Sequence, residues 1–152
     1  MNVKSVLIKN LKPDPDNARK HSERNIDAIA ASLTRFGQRK PLIVNGESIV
    51  LAGNGTLQAA KKLGWVEIEV SQIPIGWSWE QQRAYALADN RTAELAEWDS
   101  DKLANQLMEL DSVGWELDDI GFEKLQPPTE ELPTSNRRAV TCPDCGAEFV
   151  PE

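Results

Sequence analysis

Histidine is almost missing from this 152-residue chain. His21 is its one instance, so a Ser-His-Asp triad or a histidine-rich metal centre has little to be built from. Cysteine is nearly as scarce. Its two copies, Cys142 and Cys145, sit in a single CxxC, which excludes a disulfide-rich scaffold and suits a reducing cytoplasm. No apolar run extends much beyond residues 41–44, so neither a transmembrane span nor a membrane partner is expected. The opening MNVKSVLIKN lacks a charged region, a long apolar stretch and a small-residue cleavage site, so no secretory leader is expected. What is present is ordinary: 40% hydrophobic and 27% charged residues, enough for one domain with appendages and a core that needs no disulfides.

The net charge of −7 hides a division. Residues 1–77 carry 11 Lys+Arg against 7 Asp+Glu, whereas residues 78–152 carry 6 against 17. A basic first half suits phosphates and the acidic second half opposes indiscriminate duplex binding; chance surface patterning gives the same division.

Residues 3–11 alternate as a strand, and Pro13, Pro15 and Asn17 turn the chain. Ser22 is a good N-cap for a helix over 23–36, where Ile26, Ile29, Ala30, Leu33 and Phe36 share a face and Gly37 supplies the stop. Residues 41–44 read as a buried strand, Asn45-Gly46 as a hairpin turn and 48–52 as the returning strand. A helix over 57–63 points Leu57, Ala60 and Leu63 inward, and Val66, Ile68 and Val70 form another strand. The order β-α-β-β-α-β gives a mixed α+β layer. Ser78 and Gln81 form a capping box for a further helix through Ala84, Leu87 and Ala88, continuing or bending near 89–91. A last helix follows a cap near 98–100, with Leu103, Leu107 and Leu110 inward, and Leu117, Ile120 and Phe122 close the apolar pattern. The expected division is a core at 1–77, a helical extension at 78–125, a linker at 126–138 and a cysteine knuckle at 139–152.

The stretch IVLAGNGTLQAAKKLG has the most chemical content. A strand runs into a glycine-bearing turn and a helix begins at once. The opening amides of that helix have no intrahelical acceptors, and its dipole is positive there. Gly53 and Gly55 let backbone N–H groups approach an anion; Asn54 and Thr56 add neutral donors, with Lys61 and Lys62 beyond. A turn that needs glycine only for its geometry accounts for the same residues.

The ordered series DNARKHS, FGQRKPLIV, IVLAGNGTLQAAKKLGW, IPIG and ADNRTAELAEWD resembles the N-terminal domain of ParB-type proteins, within the ParB/sulfiredoxin-like fold, over about residues 3–122. It is most similar to short phage and prophage versions that accompany DNA methyltransferases. The resemblance implies an α+β mixed sheet with flanking helices that binds a nucleotide, CTP or ATP with Mg²⁺, across its loops. It implies roles for Asn17 and Arg19, for Gln38, Arg39, Lys40 and Pro41, for Gly53, Asn54, Gly55 and Thr56, and for Asn90 with Arg91. Partition proteins carry an acidic residue and two arginines after the glycine, where this chain has Asn54-Gly55-Thr56; losing both phosphate clamps argues against partition-type CTP hydrolysis. The reactive cysteine of sulfiredoxins is lacking there too. Relatives of the fold include nucleases and phosphotransferases, which keeps an enzyme in view beside a nucleotide-binding, DNA-associated accessory protein and a pure interaction module for a DNA methyltransferase or other phage DNA-processing protein.

Other residues have two readings each. Arg19 reaches a phosphate across the fold or belongs, with an exposed His21, to a solvated basic turn. Arg39 and Lys40 contact an anion or protect a sheet edge by charge. Asn90 and Arg91 face the ligand, or form a cap and an ion pair with Glu94; Asp89 and Glu94 are the carboxylates available to Mg²⁺. The five tryptophans occur singly at element ends, which suits packing better than base stacking. Cys142-Pro143-Asp144-Cys145-Gly146 has the form of a zinc knuckle, half of a Cys₄ site that a homodimer sharing Zn²⁺ or a partner protein completes; a metal-free knuckle is the alternative.

Overall fold

The computed structural model describes residues 2–123 and, further on, the antiparallel strand pair β6 (Val140–Thr141) and β7 (Glu148–Phe149). Cys142, Cys145 and the linker lie outside the described residues. Five strands form one mixed sheet: β1 (Val3–Leu7), β2 (Lys12–Pro13), β3 (Leu42–Val44), β4 (Ile49–Ala52) and β5 (Glu67–Gln72), in the order β1-β5-β3-β4-β2. The β1–β5 and β3–β4 pairs are antiparallel, while β3–β5 and β2–β4 are parallel. Four helices accompany it: α1 (Glu23–Phe36), α2 (Asn54–Lys62), α3 (Trp79–Glu94) and α4 (Ser100–Ser112). This is the α+β layer the sequence predicts.

The core joins the inner face of α1 (Ile26, Ala30, Leu33) and of α2 (Leu57, Ala59, Ala60) to Leu42, Val44, Val50, Ile68 and Val70 of the sheet. Apart from Ala59, these are positions that the apolar pattern selects, because helix and strand each bury one side. Ser22 caps α1 by accepting the Asn25 N–H at 3.2 Å, and the Ser78–Gln81 capping box opens α3. Among the described residues no helix is long and apolar enough to cross a membrane.

Several local expectations are corrected. The first strand stops at Leu7, because the chain turns through a 3-10 segment, Ile8–Asn10, before β2. The β3–β4 connection is not a two-residue turn on Asn45-Gly46. The left-handed residue is Ser48 (φ 63°), and the Asn45 side chain closes the loop by accepting the Glu47 and Ile49 amides. Helix α2 begins at Asn54, three residues early, and Leu63 and Val66 are largely exposed. Helix α3 runs unbroken through Asp89-Asn90-Arg91. It buries only Ala86, while Leu87 faces solvent. Three of the tryptophans pack at element ends: Trp77 on Tyr85, Trp98 on Phe122 and Trp115 on Phe36, the last under the Arg35 guanidinium at 3.9 Å. Trp79 and Trp98 are both 71% exposed, and Trp79 has no ring contact among the described residues.

Candidate anion-binding cleft

The site is organised by the passage from β4 into α2. Gly53, the N-cap, has φ 92°, a left-handed conformation that side chains disfavour, and a Cβ there would lie 2.5 Å from Leu42 Cδ2. Gly55 is needed for a different reason. It is buried in the first turn of α2, and a Cβ would come within 2.7 Å of the His21 ring. The two glycines thus serve the close approach of two neighbouring segments, and the amides of Asn54, Gly55 and Thr56 form the helix turn that lacks intrahelical acceptors.

Asn54 does not act as a donor to a ligand through its side chain. Its carboxamide is buried, with Oδ1 accepting the Asp14 N–H at 3.2 Å and Nδ2 donating to the Val50 carbonyl at 2.8 Å. That pair ties the segment 14–19 to the start of α2. The same segment is held from the other side by Arg83 of α3, which donates to the buried Asp14 carboxylate at 2.9 Å and to Asp16 at 2.8 Å. Asn17 then forms a side-chain turn with Arg19, accepting its N–H at 3.2 Å and donating to its carbonyl at 3.1 Å. Arg19 reaches α3, where its Nη1 donates to Asn90 Oδ1 at 3.1 Å and lies 3.7 Å from Glu94. Asn90 is fixed by its own bond to the Ala86 carbonyl at 2.8 Å.

These contacts enclose a cavity of about 210 Å³ lined by Asn17, Arg19, His21, Asn25, Ile29, Leu51, Gly53, Asn54, Gly55, Thr56 and Asn90. Not one carboxylate lines it. A guanidinium, an imidazole and the positive end of a helix converge on a space with no opposing negative charge, an arrangement suited to an anion. A second cavity of about 470 Å³ shares Ile29 and Thr56 with the first, and Phe36, Leu33 and Ile120 make it more apolar, with Arg39 and Lys40 at its margin.

Of the residues singled out from the sequence, Asn17, Arg19, Gly53, Asn54, Gly55, Thr56 and Asn90 line the first cavity. Gln38 and Arg39 line the second, and both are engaged in the fold. Gln38 donates to the Lys40 and Glu69 carbonyls and accepts the Glu69 N–H at 2.8 Å; Arg39 Nε donates to the Phe36 carbonyl. Arg91 is on neither cavity. It pairs with Glu94 at 3.3 Å on the other side of Asn90. Glu94, held between Arg19 and Arg91, is occupied by cations already, and among the described residues no group of three His, Cys, Asp or Glu is arranged to hold a metal ion. Lys61 and Lys62 end α2, about 12 Å from its first amides at 1.5 Å per residue, and Lys62 pairs with Asp27.

Sequence reasoning missed His21 as a cavity residue, along with Asn25. It set His21 aside as part of an exposed turn; the signal available was Gly55, whose missing side chain makes room for a ring from elsewhere.

The mixed sheet with flanking helices is the fold of ParB/sulfiredoxin-like domains. The C-terminally truncated chromosome-partitioning protein ParB from Caulobacter crescentus, complexed with CTP-γ-S, is similar with a TM-score of 0.65 and 17% identity, over 79% of this chain and 69% of that one. Sulfiredoxin from Arabidopsis thaliana is similar at a TM-score of 0.46 and 13% identity, over 57% of this chain and 98% of that one. In sequence, 56 residues, 37% of the chain, are 30% identical to the ParB-like nuclease domain-containing protein YnaK of Escherichia coli (strain K12). The chain spans 64% of the length of that curated relative. No family model matches. The fold is thus similar to that of a ParB structure, and part of the sequence to that of a ParB-like nuclease domain-containing protein.

Proposed function

We propose that this protein is a nucleotide-binding, DNA-associated accessory protein whose first cavity holds the phosphates. The observation that carries this reading is the carboxylate-free lining in which Arg19 and the first turn of α2 face one space. The fold neighbour bound to CTP-γ-S supports a nucleotide as the ligand. A cavity of about 210 Å³ suits phosphates alone, and the adjoining apolar cavity has room for a nucleoside. Arg19 Nε and Nη2 have no partner among the described residues and are the donors available to the anion. Thermal shift with CTP, ATP and GTP, each with Mg²⁺, tests the reading: a ligand raises the melting temperature, and Arg19→Ala lowers its affinity about 10- to 100-fold. If none of the three raises the melting temperature, the reading fails.

A second reading, a nuclease, is favoured by the sequence match to YnaK. Plasmid nicking that Arg19→Ala abolishes would replace the accessory role. Within the first reading the setting is a phage or prophage protein in the bacterial cytoplasm that works beside a DNA methyltransferase or other DNA-processing protein, with weak DNA contact given the net charge of −7. Cys142 and Cys145 supply half of a Zn²⁺ site; half a zinc per chain in a dimer is the expected stoichiometry, checked by metal analysis with solution mass.

A further inference from the structure

His21 meets the first cavity in a way that Arg19 does not. Its ring lies over Gly55, and its Nδ1 is 2.7 Å from Asn25 Oδ1. A carboxamide oxygen can only accept, so Nδ1 carries a proton in that pair. The neutral ring therefore has a bare lone pair on Nε2, which has no partner among the described residues. A lone pair repels a phosphate oxygen; an Nε2–H would bind it. We propose that His21 is a ligand-contacting residue of this cavity and that it favours a dianionic terminal phosphate, taking one proton from solvent onto Nε2 as the anion enters.

The surroundings set the sign. On the same segment Arg19 and Lys20 are cations; Glu23 and Arg24 lie in the first turn of α1; α2 presents no acidic residue in its first turn; and Glu94 of α3 is engaged by Arg19. An entering phosphate brings its negative charge to a ring in a cavity that no carboxylate lines, and binding and protonation reinforce each other.

This inference rests on the cavity being a phosphate site, and the experiment separates the two. His21 is the only histidine, so every imidazole signal in an NMR spectrum of the chain is its own. CTP and inorganic pyrophosphate are the probes. Saturation with either should move the imidazole titration to higher pH, and calorimetry in two buffers of different ionisation heat should register proton uptake. Affinity should be severalfold greater at pH 6 than at pH 8, beyond the ligand's own protonation as measured with His21→Gln. If either probe binds while the imidazole signal stays unmoved, or if His21→Gln keeps the whole pH slope, the assignment of His21 falls and the phosphate site stands. If neither probe binds at any pH, and ATP and GTP do not bind either, both fall. The NMR measurement uses the unaltered protein, so it decides even if the variant does not fold.

Discussion

Helices α1 and α3 are of similar length and are held by opposite means. α1 turns Ile26, Ala30 and Leu33 into the core, and its polar side faces water. α3 buries Ala86 alone and attaches through polar side chains in its first turns and again about two turns further on. Gln82 accepts from Asn45, Arg83 clamps Asp14 and Asp16, and Asn90 accepts from Arg19. Close packing of its inner face against the core leaves α1 no room to shift, so it is a fixed wall of the cleft. The position of α3 depends on the groups that also meet the ligand.

The largest effect expected is on the α1 side. Leu33→Ala removes a buried side chain and should cost about 2–5 kcal/mol in denaturant unfolding. Arg83→Met is the corresponding cut for α3. It leaves the buried Asp14 carboxylate without its cation and should cost about 1–3 kcal/mol. Amide exchange in α3 should rise more than in α1, with nucleotide affinity falling as Asn90 drifts; equal exchange in both helices would erase the contrast. A smaller effect belongs to Asp99, the cap of α4. Hydrogen bonds from the Lys102 side chain and then the Lys102 N–H hold its carboxyl below the ordinary carboxylate range. A depressed carboxyl contributes stability above its ordinary value and loses it as pH falls through its folded one. Helical signal should therefore weaken on acidification, and less so in Asp99→Ala. Smallest is Leu87→Ala on the outer face of α3, expected within about 0.5 kcal/mol of zero.

This contrast also explains what the sequence could convey. Apolar spacing locates α1 to the residue, because the signal that marks the helix is the force that docks it. In α3 the same rule selects Ala84, Leu87 and Ala88, which are exposed, since the inner face is written in Gln82, Arg83 and Asn90. Periodicity has no means of marking a polar face as inward. The candidate site divides likewise. Gly53 and Gly55 were legible as a place of close approach, though the neighbours that require them, Leu42 and His21, lie far off in sequence. Asn54 and Gln38 read as ligand donors because a free amide and a structural amide look alike in one dimension.

The Gln38 carboxamide has one more consequence. The β3–β5 ladder starts with Leu42 opposite Val70, and the residue before Leu42 is Pro41, which has no N–H to extend the ladder to Glu69. Gln38 stands in, offering Glu69 both a donor and an acceptor as a strand backbone would. The spacing between Gln38 and Leu42 is therefore a ruler. Adding or removing a single residue there would detach this surrogate rung and shift Arg39 and Lys40 along the cleft, whereas the same change in the 13–17 turn would leave the ladder in register.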